Sequence, residues 1–228
     1  MSFKPLLAGA NKPWPLEHLV VQFQGGAHGR DLPPQPYANS CVLTERWRLV
    51  KRDTFELYDI QADPAQRNDI AGEHPEVVAK LKTLYEPYWQ QVKPRMTPVS
   101  IDLGNPAQNP TELCSQDWRM DTGNPPWNFR QIKKLPRVTG PWMVNVVEAG
   151  RYRLTLRQYP AVAGKPVVAE RATIEIAGVT AEHPVEPGSQ GVVFELDLPA
   201  GETKLLTYLY DEHGKVGGAY FTEVELIQ

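Results

Sequence analysis

The sequence predicts two structural classes in succession: an α+β part with a small antiparallel sheet and one long helix, then an all-β antiparallel sandwich. A helical period supports the first class, because apolar residues recur every three or four positions between Val77 and Val92. Alternation supports the second class, because short segments after Gly140 alternate apolar and polar residues between turn signals.

The proline-rich residues 93–98 mark the predicted boundary between the two parts. Composition changes there, and 228 residues are enough for two modest domains that each bury a core. We therefore predict domains at residues 1–95 and 96–228. Residues 100–129 contain short apolar pieces separated by Asn-Pro, Gly-Asn and Pro-Pro signals, which indicates a connecting region that crosses the surface of a sheet.

Start signals and apolar runs place the elements of the first part. The nearly continuous apolar run from Leu19 to Phe23 predicts a strand that is covered on both faces or lies at a domain seam. Asp63-Pro64 and His74-Pro75 are both helix-start signals, because Pro supplies a helical φ where no N–H bond is needed. Pro87 lies within the helical pattern and predicts a kink or a restart of the helix.

The second part contains six segments with the apolar and polar alternation of half-buried strands. Turn residues such as Ala177-Gly178 and Pro199-Ala200-Gly201 separate them, as expected for antiparallel strands joined by tight connections. The predicted strands cover residues 142–147, 151–157, 172–176, 192–198, 204–210 and 219–226.

Charge and hydropathy argue against two classes of partner. The formal net charge is −3 and the pI is about 6.0, so the chain offers no basic field for nucleic acid or for an anionic membrane. Mean hydropathy is −0.42 and no apolar run is long enough for a transmembrane helix. The first residues lack the charged and apolar regions of a signal peptide, so the compartment stays open.

The two cysteines, Cys41 and Cys114, lie in different predicted domains. Two unpaired, half-buried thiols are favoured over a disulfide, which would require the two Cα atoms to lie within about 7 Å. Neither cysteine has the spacing of a zinc ligand, so no metal site is predicted.

A spaced series of motifs in the first part resembles the C-terminal subdomain of the sulfatases that use a formylglycine nucleophile. The resemblance covers roughly residues 2–92 and implies that a tryptophan strand and a Leu-Tyr-Asp turn form a small antiparallel sheet crossed by a helix. The motifs are Trp47-Arg48-Leu49-Val50, Glu56-Leu57-Tyr58-Asp59-Ile60, Asp63-Pro64-x-Gln66-x-Asn68-x-Ile70 and His74-Pro75-Glu76-Val77.

The second part resembles the β-rich C-terminal extension of a subset of bacterial arylsulfatase-type proteins. Five motifs carry this resemblance, which spans most of residues 100–227 and implies a sandwich more clearly than it implies a ligand. They are Gly104-Asn105-Pro106, Asp117-Trp118, Gly140-Pro141-Trp142, Glu148-x-Gly150-x-Tyr152-x-Leu154-x-Leu156-Arg157-x-Tyr159-Pro160 and Asp211-Glu212-x-Gly214-x-x-Gly217-Gly218-Ala219-Tyr220.

The motifs that perform catalysis in this family do not occur in the sequence. Family members convert the Cys or Ser of Cys/Ser-x-Pro-x-Arg to formylglycine, beside an Asp-Asp pair that binds calcium; neither Cys41 nor Cys114 is followed by that pattern, and no Asp-Asp pair occurs. The resemblance therefore implies the C-terminal region of a sulfuric ester hydrolase with no cofactor of its own. Its expected partner is a catalytic sulfatase domain, its parent is periplasmic or secreted, and no turnover is expected from this chain alone.

The resemblance also implies two substrate-facing residues. It places the glycine-rich loop at residues 25–31 near the mouth of the active-site cleft, where His28 and Arg30 would face a sulfated glycan or an aryl sulfate. An arginine can hold a sulfate with two parallel donors. The alternative is an ordinary solvated turn.

Two further functions compete with the sulfatase interpretation. A carbohydrate-binding function would use Trp118, Trp127 and Trp142, with Tyr159 and Tyr220, as a platform for a sugar ring, although aromatic residues of a sandwich more often fill its core. A structural or oligomerisation function would use the apolar run from Leu19 to Phe23, whose exposure would drive homodimer formation.

Overall fold

The computed structural model describes residues 4–9, 16–23, 35–96 and 99–228. The chain divides into two compact units, one containing the described residues up to Met96 and the other containing those from Val99 onward. A small antiparallel sheet with one long helix forms the first unit, and sheets in a sandwich-like arrangement form the second. The predicted fold class is confirmed.

The first unit is a four-stranded antiparallel sheet with a helix packed on one side. Its strands follow one another in the order β1-β2-β3-β4. The elements are α1 (Lys4–Leu7), β1 (Leu19–Gln22), β2 (Ser40–Leu43), β3 (Trp47–Lys51), β4 (Phe55–Asp59) and α2 (Pro75–Val92). The core of the unit consists of Val42, Leu49 and Leu57 from the sheet and Leu81, Tyr85 and Trp89 from α2.

Helix α2 begins at Pro75, as the His74-Pro75 signal predicts. The other start signal was wrong: residues 63–73 contain turns, and no helix begins at Asp63. Its carboxylate instead accepts hydrogen bonds from the backbone N–H groups of Arg67 (2.6 Å) and Asn68 (2.9 Å), which closes a turn. The chain does not restart its helix at Pro87, because α2 continues through this exposed residue to Val92.

The second unit contains ten strands, one short α-helix and two 3₁₀-helices among the residues from 99 to 228. The predicted strand segments are all present, and further strands join them. The elements are β5 (Ile101–Leu103), β6 (Thr111–Cys114), α3 (Phe129–Ile132), β7 (Trp142–Val146), β8 (Gly150–Arg157), β9 (Arg171–Ile176), β10 (Val179–Pro184), β11 (Val192–Leu198), β12 (Gly201–Asp211), β13 (Gly214–Gly217) and β14 (Phe221–Leu226).

Two sheets make up this unit. One has the order β10-β9-β12-β7-β5, with β13 also paired to β12, and the other has the order β11-β8-β14-β6. All described pairings in both sheets are antiparallel except that of β5 with β7, which is parallel. The expected connecting region was therefore partly wrong, because β5 and β6 are strands. Three or four residues are too few to show alternation, and their pairing with β7 and β14 defines them.

Alternation along the strands sends one set of side chains into a single core. In β7, Trp142, Val144 and Val146 are buried, whereas Met143 and Asn145 are half-buried. The same period buries Tyr152, Leu154 and Leu156 of β8. Because successive side chains of a strand point to opposite faces, the residues between these positions lie on the outer surface of the sandwich.

Candidate functional site

The structure separates the three predicted tryptophans of the aromatic platform. Trp118 and Trp142 have no exposed surface and lie edge to face in the core, with ring centres 5.5 Å apart. Tyr220 is buried against Trp118. This part of the platform prediction was wrong, because these rings fill the space between the two sheets and offer no face to a sugar. Trp127 lies on the surface and is 42% exposed.

The two predicted cleft residues, His28 and Arg30, lie outside the described residues. Both cysteines are unpaired, as the sequence favours. Within the described ranges, no three His, Cys, Asp or Glu side chains are grouped so that they could hold a metal ion. In the same ranges, no helix combines the length and apolar character that a membrane span needs.

The most distinctive surface of the first unit is the side of its sheet that faces away from α2. Val20 packs against the core under α2, so its neighbours Leu19 and Val21 point to the opposite side. Leu19, Val21 and Phe23 are 44%, 58% and 62% exposed. The prediction of a strand covered on both faces was therefore wrong: β1 forms, but one of its sides is open.

Cross-strand pairing extends this apolar surface onto the neighbouring strands. Leu43 is opposite Leu19 and Cys41 is opposite Val21, and directly opposite residues share one face of a sheet. Val50 of β3 is opposite Cys41 in turn. We call the resulting surface the β1 face; it consists of Leu19, Val21, Phe23, Cys41, Leu43 and Val50.

A half-buried arginine with one buried, unpaired donor atom lies beside the β1 face. Arg48 is opposite Leu43, and its Nε atom is buried and has no hydrogen-bond partner among the residues that the structure describes. Burial raises the pKa of the nearby Cys41 thiol, and the positive charge of Arg48 opposes that rise. A buried donor without a partner destabilises a protein. The β1 face is thus apolar, with one unsatisfied donor at its margin.

The position of β1 adds a second unusual feature. Among the described strands of this unit, β1 is one of the two edge strands, because it pairs only with β2. An exposed apolar edge strand is uncommon in soluble proteins, since it promotes association with other chains. Within the described strands, β1 thus combines an exposed apolar face with an unpaired edge.

Neither a family model nor a characterised protein matches the sequence. Among solved structures, a ruminal GH26 endo-beta-1,4-mannanase is similar at a TM-score of 0.33, with 17% sequence identity over 52% of this chain. The matched part spans 26% of the mannanase. This likeness assigns no family.

The sequence contained a partial signal for the β1 face. The apolar run from Leu19 to Phe23 predicts a strand. Because apolar residues are nearly continuous in it, the run does not indicate which of them face α2. Gln22 is the one polar residue of the run, and its side chain interacts with Tyr85 of α2, which donates a hydrogen bond to Gln22 Oε1 at 2.9 Å. That contact fixes Leu19, Val21 and Phe23 on the other side.

Proposed function

We propose that this chain is the non-catalytic C-terminal region of an arylsulfatase-like sulfuric ester hydrolase, and that its first unit binds the catalytic domain through the β1 face. The observation that carries the proposal is the exposure of Leu19, Val21 and Phe23 on a sheet whose other side is covered by α2. The spaced sulfatase-like motifs of residues 47–77 supply the identity of the partner.

The residues of those motifs build the fold of the first unit. Leu57 is fully buried in its core, and its backbone N–H donates to the Asp69 carboxylate at 2.9 Å. Asp59 forms an ion pair with Arg46 at 2.8 Å, and this arginine holds the pKa of Asp59 below its usual value. Such roles are structural, so the motifs support a scaffold function for this unit.

The size of the β1 face fits a domain contact. Complete burial of a Leu, Val or Phe side chain contributes about 1.5–3 kcal/mol, and roughly half of each of the three side chains is still open. Covering them would contribute roughly 2–4 kcal/mol before any polar contact.

Under this proposal, catalysis belongs to the partner. A formylglycine and a calcium ion would be supplied by the catalytic domain, and this chain would contribute loop residues at most. His28 and Arg30 are the candidates for contact with a sulfated glycan or aryl sulfate substrate, through the arginine's ability to bind sulfate with two donors.

The first test is the genomic reading frame around the segment that encodes this chain. We expect it to encode, on the N-terminal side, a Cys/Ser-x-Pro-x-Arg motif and an Asp-Asp pair. A reading frame without either motif would contradict the sulfatase assignment.

The second test measures binding between the encoded catalytic segment and this chain by isothermal titration. Val21→Asp would place a charge in the contact, so we expect the dissociation constant to rise by roughly 100-fold. Val193→Asp is the matched control, because Val193 is also exposed (45%) but lies on β11. If Val21→Asp binds as tightly as the wild type, the β1 face is not the contact.

The same variants distinguish a homodimer. If a second copy of the chain covers the β1 face, light scattering should show a dimer for the wild type and for Val193→Asp, but a monomer for Val21→Asp. We expect a monomer at micromolar concentration, since the proposed occupant is a catalytic domain. A dimer that Val21→Asp abolishes and Val193→Asp preserves would show that a second copy of the chain, and not a catalytic domain, covers the β1 face.

A further inference from the structure

Two aromatic rings and two ammonium groups meet on the surface of the second unit. Phe129 is 44% exposed, and the Tyr159 ring lies edge to face with it at 6.2 Å between centres. Lys133 Nζ lies 4.9 Å and Lys165 Nζ 5.9 Å from the centre of the Phe129 ring, and Lys165 Nζ lies 5.0 Å from the centre of Tyr159. We call these four residues the cationic aromatic cluster.

The chain segment that supplies Phe129 and Lys133 is basic, whereas the chain as a whole is acidic. Residues 122–147 contain four basic residues and no acidic one, in a chain of net charge −3. Lys133 and Lys165 form no ion pair with any residue in the described part of the chain; their recorded contacts are with aromatic rings. Both ammonium groups therefore remain able to pair with an anion from outside.

Hydrogen bonds hold the loop that presents Phe129. The Trp127 backbone N–H donates to Gln131 Oε1 at 2.7 Å, and the Gln131 backbone N–H donates to Asn128 Oδ1 at 3.1 Å. Ser115 Oγ donates to the Pro126 carbonyl at 3.2 Å. A loop that is ordered before binding loses less conformational entropy when a ligand arrives. The contact with the Phe129 ring likewise restricts the two lysine side chains.

A depression of about 660 Å³ on this unit is lined by residues that neighbour the cationic aromatic cluster in sequence. Each segment that supplies the cluster continues into its wall: Leu135 follows Lys133 by two positions, Gln158 precedes Tyr159, and Pro166 follows Lys165. The volume lies in the range of small-molecule sites. Its polar wall includes Arg137 and Asp211, which form an ion pair at 3.2 Å, together with Glu170 and Glu212.

We propose that the cationic aromatic cluster is a binding site for an anionic saccharide and that the depression lined by its sequence neighbours extends this site. Phe129 and Tyr159 would contact the apolar face of a sugar ring, and Lys133 and Lys165 would bind its sulfate or carboxylate group. The carboxylates of the depression would accept hydrogen bonds from the hydroxyl groups of the next sugar unit, and its arginine would donate hydrogen bonds to them. The local charge is too small for nucleic acid or a membrane, which need an extended basic field. The site does not depend on the proposed sulfatase parent.

The test is isothermal titration of the full chain with purified oligosaccharides of matched length. Three probes separate the chemistries: carrageenan oligosaccharides carry sulfate, alginate oligosaccharides carry carboxylate, and mannan oligosaccharides carry no charge. We expect binding to at least one anionic probe and none to the neutral one, and the anionic probe that binds identifies the recognised group. Binding is expected to weaken as salt rises, because salt screens the two ammonium groups.

Two variants and two controls test the residues. Phe129→Ala and the double variant Lys133→Ala/Lys165→Ala should each weaken binding by roughly tenfold or more. Val162→Ala removes another exposed apolar side chain, and Lys80→Ala/Lys204→Ala removes the same amount of charge from exposed positions elsewhere. Both controls should bind as the wild type does, and circular dichroism should show the same fold for all variants.

Several outcomes would overturn the proposal. One is an absence of binding to all three probes, and another is an affinity for mannan equal to that for the anionic probes. The proposal would also be wrong if the lysine variant and its charge control lost affinity equally, or if the chain bound single-stranded DNA as tightly as the anionic probes. Because the lysine variant removes only exposed side chains, it keeps the test valid even if Phe129→Ala fails to fold.

Discussion

Trp118 and Trp142 are neighbours in one core but differ in their polar contacts. Trp142 Nε1 donates a hydrogen bond to the Cys114 carbonyl at 2.7 Å. Trp118 Nε1 is buried and has no hydrogen-bond partner within the described residues. The Trp142 ring therefore connects β7 to β6 through a polar contact as well as by packing, whereas Trp118 contributes packing alone.

This difference predicts unequal effects of the same substitution. Trp142→Phe and Trp118→Phe both remove ring volume from the core, but only Trp142→Phe also removes the donor to the carbonyl of the half-buried Cys114. Loss of that partner should lower the free energy of unfolding by about 1–3 kcal/mol more than the Trp118 substitution does. Urea unfolding followed by circular dichroism measures both values, and equal losses would contradict the assigned roles.

Asp63 shows why a local signal can have two outcomes at the scale of one residue. An Asp-Pro pair is favourable both before a helix and within a turn, because in each case the carboxylate accepts backbone N–H groups. Here it accepts those of Arg67 and Asn68. The next pair, His74-Pro75, does begin a helix because the apolar period of α2 follows it.

At the scale of the element, α2 and β1 represent opposite cases for sequence-based inference. The period of α2 predicts one buried side, which includes Leu81, Leu84 and Tyr88. The structure buries Leu81 on this side but leaves Leu84 and Tyr88 half-buried, and the other two buried residues are Tyr85 and Trp89. The apolar run of β1 has no such period, so the sequence predicted the strand but not which side is open. Its open side became visible only through its pairing with β2 and the contact of Gln22 with Tyr85.

Pro87 leads to a prediction for α2 as a whole. A proline inside a helix lacks the N–H that would bond to the preceding turn, and Pro87 is exposed, so no packing depends on it. We expect Pro87→Ala to raise the free energy of unfolding by about 1–3 kcal/mol. Thermal unfolding by circular dichroism measures this gain. The control is Gln90→Ala, at an exposed position on the same helix, and it should change the free energy of unfolding by less than about 0.5 kcal/mol.

A Pro87→Ala variant that is no more stable than this control would contradict the prediction. It would show that α2 accommodates the proline without a loss of stability.

At the scale of the whole molecule, the described residues form two hydrophobic cores that share no residue. One contains Leu81 and the other contains Leu154, both almost completely buried. A unit with its own core has its own unfolding equilibrium. Sites without shared partners also have additive effects on stability.

Because the two cores share no residue, a substitution that shortens a side chain in one core should destabilise only the unit that contains it. Leu81→Ala should lower the stability of the first unit by about 2–5 kcal/mol and leave the second unchanged, and Leu154→Ala should do the reverse. Native-state hydrogen exchange with mass spectrometry assigns each response, because faster exchange should appear only in peptides from residues 35–96 or only in those from residues 99–228. Faster exchange in both ranges from one substitution would show that the units unfold together.

The sequence by itself determined the long helix, the six strand segments after Gly140, the order of the two structural classes and the strand in the apolar run of β1. These properties depend on local periods and turn residues, which neighbouring positions specify. The tertiary structure alone decided that Trp118 and Trp142 are core residues, that β5 and β6 join the sheets, and that Phe129, Tyr159, Lys133 and Lys165 meet on one surface. Each of these outcomes depends on a contact between residues far apart in the chain, and such contacts arise only when the sheets form and bring distant segments together.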